Sequence, residues 1–396
     1  MKEKVHVAGV GMIPFSKPGS SDPYNVMGAQ AGRAALKDAG IDYTLVRQAY
    51  VGYVYGDSTC GQAAVYEMGL TGIPVVNVNN NCATGSTALF LARQAVESGA
   101  VECALALGFE QMVPGAITER WGDRPTPLAR FVEALRRLGK WDDAVPIAPQ
   151  LFAAAGREYQ EKYGAGPETF ARISEKARRH AANNPFALFR KPATVEEVLA
   201  SPMIAPPLTR LQCCPPTCGA AAAVLCSPAF ARKHGLTPRV RIAAQAMTTD
   251  RESSFADSPM RIIGYDMAKE AARQVYEASW TGPEDLDVVE LHDCFTANEL
   301  ITYEALELTP EGTAEKFIRD GDNTYGGKIV TNPSGGLLSK GHPLGATGLA
   351  QCTELVWQLR GQAGARQVEG ARRGLQHNLG LGGACVVTLY EACGPQ

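Results

Sequence analysis

The sequence predicts an α/β fold made of two similar halves, each a parallel sheet buried between helices, with a further segment inserted in the first half. Two observations carry this. Helix-type and strand-type patterns alternate along both halves, as they do where βαβ units cover a sheet on both faces. The same order of elements also occurs twice. Residues 28–57, GAQAGRAALKDAGIDYTLVRQAYVGYVYGD, read as a helix with alanines at helical spacing, a turn at Gly40 and an apolar strand over 49–54. Residues 267–295, MAKEAARQVYEASWTGPEDLDVVELHDCF, repeat that order with a strand near 288–291. Further on, a helix over 84–99 and a strand over 101–110 match a helix over 345–361 and a strand over 383–391.

Residues 117–206 break this rhythm with mixed helix, many arginines and no clean strand, and read as an inserted, substrate-covering subdomain. The division is then 1–116 with 207–250 as the N-terminal half, 117–206 as the insertion and 251–396 as the C-terminal half. The charged run KARRHAANN within the insertion reads as a solvated helix face.

Composition bounds the function. A chain of 396 residues exceeds one ordinary core, and 45% apolar with 20% charged residues and 41 glycines is the make-up of a globular enzyme. A net charge of −3 gives no reason to expect nucleic acid or an anionic membrane surface as partner, which leaves small-molecule chemistry. The eleven cysteines form no regular framework, and Cys103, Cys226 and Cys352 lie in apolar runs where a reduced thiol packs as a small hydrophobe, so a reducing compartment is expected. The start, MKEKVHVAGVGMIPF, reads as a first strand rather than a signal peptide, and no apolar run approaches the ~18 residues of a spanning helix. The end, ACGPQ, is no peroxisomal tripeptide. These readings point to the cytoplasm; a eukaryotic host would also allow a peroxisomal or mitochondrial location.

Four stretches carry chemistry. In VNVNNNCATGSTALFLA, Cys82 stands between a strand and a helix, where unpaired N–H groups and the helix dipole favour a thiolate. In GHPLGATG, His342 holds the equivalent place in the second half, so two matching turns would bring a nucleophile and its base together across a pseudo-twofold axis; the plainer alternative is that it caps its helix. In VVELHDCFTANEL, His292, Asp293 and Cys294 occupy another strand-to-helix turn. A metal site there would want paired ligand spacing such as CxxC or HxxxH, which is missing, so no metal is expected. In LQHNLGLGGAC, Gly380, Gly382 and Gly383 either let backbone N–H groups approach a ligand as an oxyanion hole or form a tight turn into the last strand. The VAGVGM stretch lacks the third glycine and acidic partner of a dinucleotide loop and reads as a strand ending in a turn.

Taken together, NNNCATGST, HDCF, GHPLGATG and HNLGLGG resemble the thiolase superfamily, within it the thiolases of the sterol carrier protein X type, over nearly the whole chain, 5–390. VGYVYGDSTCGQ and RDGDNTYGGK belong to the same resemblance. It implies a five-layered αβαβα thiolase fold, a homodimer or dimer of dimers, and coenzyme A as co-substrate with acyl-CoA, needing no cofactor. It implies Cys82 as the acyl-accepting nucleophile, His342 as its activator, His292 in place of the asparagine of ordinary thiolases, and Cys294 as second acid/base. The backbone N–H groups of Cys82 and Gly380 would form a second oxyanion hole. Asn378 stands where ordinary thiolases carry that second cysteine. Cys218 stands where the family commonly has aspartate, a departure expected to touch stability or dimer packing. The implied reaction is cleavage of a 3-ketoacyl-CoA by coenzyme A, in fatty-acid or sterol side-chain breakdown. A non-catalytic acyl-CoA binder, a ketosynthase and a retro-aldolase stay open as alternatives. With the chain stopping at Gln396, the lipid-carrier domain that names that type is expected to be absent, and sterol transfer is not inherited.

Overall fold

The computed structural model describes residues 4–114 and 121–394, so the expected boundary at 116/117 lies outside the described residues. The chain begins with β1 (Val5–Met12), α1 (Tyr24–Ala39), β2 (Gln48–Gly52), α2 (Cys60–Tyr66), β3 (Val75–Val78), α3 (Thr84–Glu97) and β4 (Cys103–Glu110). Four helices follow, α4 (Ala129–Arg137), α5 (Ile147–Tyr163), α6 (Pro167–Ala181) and α7 (Val195–Leu199), then a hairpin of β5 (Met203–Ala205) and β6 (Leu208–Thr209). Next come β7 (Gly219–Cys226), α8 (Pro228–Lys233) and β8 (Val240–Thr248). The remainder holds α9 (Pro259–Ile262), α10 (Tyr265–Ser279), β9 (Val288–Glu290), α11 (Thr296–Ala305), α12 (Ala314–Arg319), β10 (Val330–Thr331), α13 (Leu344–Arg360), β11 (Arg373–Gly380) and β12 (Ala384–Ala392).

The repeat is visible in the strand order, β3-β2-β4-β7-β1 in one half and β10-β9-β11-β12-β8 in the other. The two sheets meet edge to edge where β1 pairs with β8 through Val5–Ile242, His6–Arg241 and Val7–Val240. They are mixed rather than parallel as expected. Strand β2 runs parallel to β3 and β4, and β9 to β10 and β11, but β7, β1, β12 and β8 are all antiparallel to their neighbours. The reason is plainest in the second half: only three residues, Leu381 to Gly383, separate β11 from β12, and so short a connection can only reverse the chain.

Alternation along the strands builds the layers. On β4, Leu105 and Leu107 pack outward with Ala31 and Ala35 of α1, whereas Ala104 and Ala106 turn inward to Ala88 and Ala92 of α3 and Leu349 of α13. In the other sheet Val289, Leu375 and Leu389 face Ala271 and Val275 of α10, and Val288 and Tyr390 turn to Leu355 and Val356 of α13. Helices α3 and α13 are thus a middle layer shared by both sheets, and the five layers follow.

The middle layer is unusually tight. A Cβ on Gly345 would lie 2.4 Å from the Phe109 carbonyl oxygen and 2.7 Å from that of Gly52, and one on Gly348 would lie 2.1 Å from Ser86 Oγ. No other side chain fits either place.

The insertion is helical as expected, although the β5–β6 hairpin straddles the 206/207 boundary. The KARRHAANN run corrects its expectation. Arg179 is exposed, but Lys176 and His180 on the other side of α6 are buried. Lys176 Nζ binds the Glu299 carboxylate, Tyr303 OH (3.0 Å) and Thr331 Oγ1 (2.6 Å), while His180 contacts the Asn332 carbonyl (3.0 Å) and Thr324 Oγ1 (2.7 Å). A charged run becomes a polar anchor because the C-terminal half supplies a matching buried carboxylate. Removing one partner of such a pair strands the other, at a cost of about 3–5 kcal/mol. Lys176→Met is therefore expected to lower the urea midpoint strongly with an unchanged slope; a shift worth less than about 1 kcal/mol would contradict this anchor.

Candidate active site

Cys82 leaves β3 through Asn79, Asn80 and Asn81 and precedes the first turn of α3. Asn81 takes a left-handed φ of 50°, a strained state for a non-glycine residue. Its Nδ2 donates to the Leu381 carbonyl at 3.0 Å, and Asn80 N–H donates to Thr84 Oγ1 at 2.8 Å. The strain is held from both halves, and the Cys82 sulfur sits on the first residue past it. Gly380 lies against this loop so closely that a Cβ would come within 2.2 Å of the Asn80 carbonyl oxygen. Gly382 and Gly383 have φ near 101° and 102° and make the β11–β12 turn. The tight-turn reading of the glycine stretch thus holds for Gly382 and Gly383, and Gly380 is required by its packing against the Cys82 loop.

His342 enters from the second half, just before α13. Its N–H donates to Thr217 Oγ1 at 3.1 Å, and its Nδ1 lies 2.6 Å from Thr347 Oγ1. The Thr347 hydroxyl hydrogen is committed to the Pro343 carbonyl at 3.0 Å, so this oxygen accepts from His342 Nδ1–H. Nε2 then carries a lone pair, and that atom is buried without a hydrogen-bond partner among the described residues.

His292, Asp293 and Cys294 follow β9. Leu291 N–H donates to Asn332 Oδ1 at 2.8 Å, and Asp293 accepts from Leu337 N (2.7 Å) and Leu338 N (3.3 Å), tying this loop to the segment that leads into His342. Asn378 Nδ2 lies 3.0 Å from His292 Nδ1. Cys294 faces residues 213 and 214, with Cys214 N–H donating to the Cys294 carbonyl at 2.9 Å.

The structure brings the pieces together. Cys82 Sγ and one ring nitrogen each of His292 and His342 lie within 4.8 Å of one another, and the two imidazole centroids are 5.1 Å apart at 80°. Cys294 and Cys214 are close enough to Cys82 for the charges of the three thiolates to disfavour one another. The donor set and spacing would also suit a soft metal ion. Against that, an amide nitrogen can only donate, so His292 Nδ1 accepts and its proton sits on Nε2, where a metal would need the lone pair.

Burial governs the electrostatics and corrects one expectation. Cys82 is not held as a thiolate by its helix: desolvation, aided by the Glu110 carboxylate, pushes its thiol up to about 12. Desolvation pushes His342 down to about 3, and His292 falls well below the ordinary value through desolvation and its neighbours His342 and His377. Burial also raises Cys294 well above the usual thiol range. The centre is uncharged, a thiol beside two neutral imidazoles. Glu110, Thr347, Cys214 and the glycine seam escaped the sequence reading; the adjacent Cys213–Cys214 pair was the one visible signal that could have pointed to Cys214.

Comparison with known proteins follows from this geometry. The family model described as the thiolase N-terminal domain matches residues 5–228, and that described as thiolase C-terminal domain-like matches 250–389. The chain belongs to the thiolase family. These are acyltransferases, and sterol carrier protein 2 of Oryctolagus cuniculus is 56% identical to this thiolase over 99% of the chain and 73% of its own length. Among solved structures, the Ltp2–ChsH2(DUF35) aldolase covers 98% of the chain and 98% of its own with a TM-score of 0.83 at 26% identity. Human mitochondrial 3-ketoacyl-CoA thiolase in complex with CoA covers 99% and 98% with a TM-score of 0.76 at 18% identity, a likeness of fold.

An uncharged resting centre makes a checkable statement about pH. Alkylation of Cys82 by iodoacetamide in the free enzyme is expected to keep accelerating above pH 9, where an ordinary thiol levels off, because the folded thiol loses its proton only near 12. A plateau reached near neutrality would instead reveal a preformed thiolate–imidazolium pair.

Proposed function

We propose that this thiolase cleaves 3-ketoacyl-CoA with coenzyme A through an acyl group carried on Cys82, in fatty-acid or sterol side-chain breakdown. The observation that carries the reading is the meeting of Cys82 with two imidazoles of opposite hydrogen-bond polarity, His342 offering a lone pair and His292 an N–H. Breaking the bond between C2 and C3 of such a thioester needs a nucleophile for the ketone carbon, a base for that nucleophile, donors for the oxygens that become negative, and an acid for the carbanion.

His342 Nε2 takes the Cys82 proton as the sulfur attacks C3, so ionisation and attack are coupled in a site that disfavours a standing thiolate. The backbone N–H groups of Cys82 and Gly380 hold the oxygen on C3. Collapse of the adduct breaks C2–C3 and sends the electron pair into the thioester enolate, whose oxygen receives hydrogen bonds from His292 Nε2–H and the now protonated His342. Cys294, kept as a thiol by its burial, protonates C2 and releases the C1–C2 fragment as acetyl-CoA, while the shortened acyl group stays on Cys82. Its thiolate then deprotonates incoming coenzyme A, whose sulfur takes the acyl group from Cys82 to give the shortened acyl-CoA, and protonated His342 returns its proton to the departing Cys82 sulfur. A centre without fixed charge suits these oxyanions, since each donor is worth more where water is excluded.

A second reading is a retro-aldol cleavage of 3-hydroxyacyl thioesters at the same bond, favoured by the likeness to the Ltp2–ChsH2 aldolase. It would leave no acyl group on the enzyme. Further support concerns partners and place: β3 is an edge strand beside the exposed Tyr66, Leu70 and Val76, which suits a homodimer, and eleven free cysteines suit a reducing compartment such as the cytoplasm.

Two variants test the reading on a panel of 3-keto and 3-hydroxy thioesters. Cys82→Ala is expected to lose thiolysis entirely, and Cys294→Ala to lose turnover while intact-protein mass spectrometry still finds an acyl adduct on Cys82. Full thiolysis by Cys82→Ala, or cleavage of 3-hydroxy substrates alone with no adduct, would overturn it. His292→Ala is expected to reduce kcat by about 10²–10³-fold, the loss of one oxyanion donor, with the folded structure retained by circular dichroism.

A further inference from the structure

His292 can act as a donor only if its single proton is on Nε2. It is buried and neutral, so its tautomer is a structural choice rather than an average. The atoms that make this choice form a chain running back to the main chain. The Gly348 carbonyl, which can only accept, receives Gln376 Nε2 at 2.7 Å, and Tyr390 OH donates to Gln376 Oε1 at 2.5 Å, so the amide of Gln376 has one orientation. Its other N–H reaches Ser86 Oγ at 2.7 Å. Ser86 accepts there and passes its own hydrogen to Asn378 Oδ1 at 2.8 Å. That orients the second amide as well, turning Asn378 Nδ2 toward His292 Nδ1 at 3.0 Å.

We propose that Asn378 is a positioning residue: oriented by Ser86 and Gln376, its amide fixes the tautomer of His292 and so presents an N–H, not a lone pair, to the thioester oxygen. The inference rests on the proposed thiolase chemistry for its purpose, but not for its geometry. Every member of the chain is buried, and it crosses between the halves, Ser86 belonging to α3 and the rest to α13, β11 and β12. Gly348 makes room for it, since a Cβ there would lie 2.1 Å from Ser86 Oγ and 2.7 Å from Asn378 Oδ1. Around His292 the other titratable groups are His342, His377, whose Nδ1 accepts the His292 backbone N–H at 3.3 Å, Cys82, and the adjoining Asp293 and Cys294. The Asp293 carboxylate accepts from the backbone N–H groups of Leu337 and Leu338, which engage both of its oxygens away from the choice of tautomer.

The test substitutes a pure acceptor of the same shape, Asn378→Asp. Histidine-selective ¹⁵N labelling, with His292→Gln to assign the signals, reads the tautomer directly from the two ring-nitrogen shifts. In the native protein His292 is expected as Nε2–H. In Asn378→Asp at alkaline pH, where the imidazole is neutral, the proton is expected on Nδ1, and kcat for a 3-ketoacyl thioester is expected to fall by about 10²–10³-fold, with the deficit growing as pH rises. Asn378→Ala, which imposes neither tautomer, should lose far less. A native His292 with its proton on Nδ1 overturns the inference whether or not Asn378→Asp folds, and so does an Asp variant with the shifted proton and native kcat. Should the native protein show no thiolysis while His292 is Nε2–H and switches in the Asp variant, the proposed reaction fails and the tautomer lock is supported.

Discussion

The contact between α3 and α13 is the constraint on which the site depends. Each helix is preceded in its own half by a connection that carries one reactive group, Cys82 shortly after β3 and His342 after a π-helical turn over Gly336–Lys340. Neither half holds both. What brings sulfur and imidazole into one space is the approach of α13 to α3, with Gly348 against Ser86, and to the first sheet, with Gly345 against the carbonyls of Gly52 in β2 and Phe109 in β4. A single methyl group at either glycine would push the layers apart by more than the reaction tolerates, because misplacement of reacting atoms by about 1 Å can cost 10²-fold in rate.

Sandwiching that contact between two sheets has an electrostatic consequence. Water is excluded, so the thiols are held as thiols and the imidazoles as neutral rings. Reactivity then resides in hydrogen-bond polarity rather than standing charge. Thr347 and Asn378 engage Nδ1 of the two histidines in opposite senses, making one an acceptor and the other a donor at the shared centre. Two chemically identical side chains thereby take different parts in the same step.

Much of this was legible in the residues. The repeat was visible because helix and strand periodicities are local, and the helices over 84–99 and 345–361 differ from α3 and α13 only at their ends. Cys82 stood out by its place at a helix N-terminus and the His292–Asp293–Cys294 run because such a turn is hard to explain by packing, while the resemblance to thiolases implied their roles and that of His342. Strand direction was not legible: a helix pattern between strands suggests a parallel crossover, yet the short Leu381–Gly383 turn reverses β12, and β1 and β8 join the sheets through non-local pairing. Lys176 and His180 were hidden for a related reason, since a charged residue on a helix reveals nothing of the carboxylate packed against it from 123 residues away. The ionisation of Cys82 was misjudged because the helix dipole is a local property, whereas burial is set by the whole fold.

The most direct measurement is a crystal structure of Cys82→Ala with an intact 3-ketoacyl-CoA. The account places C3 of the acyl chain beside residue 82, its oxygen at the backbone N–H groups of residues 82 and 380, and the thioester oxygen within hydrogen-bonding distance of Nε2 of both His292 and His342. A thioester bound with its oxygen away from the two imidazoles, or with C3 outside reach of position 82, would contradict it.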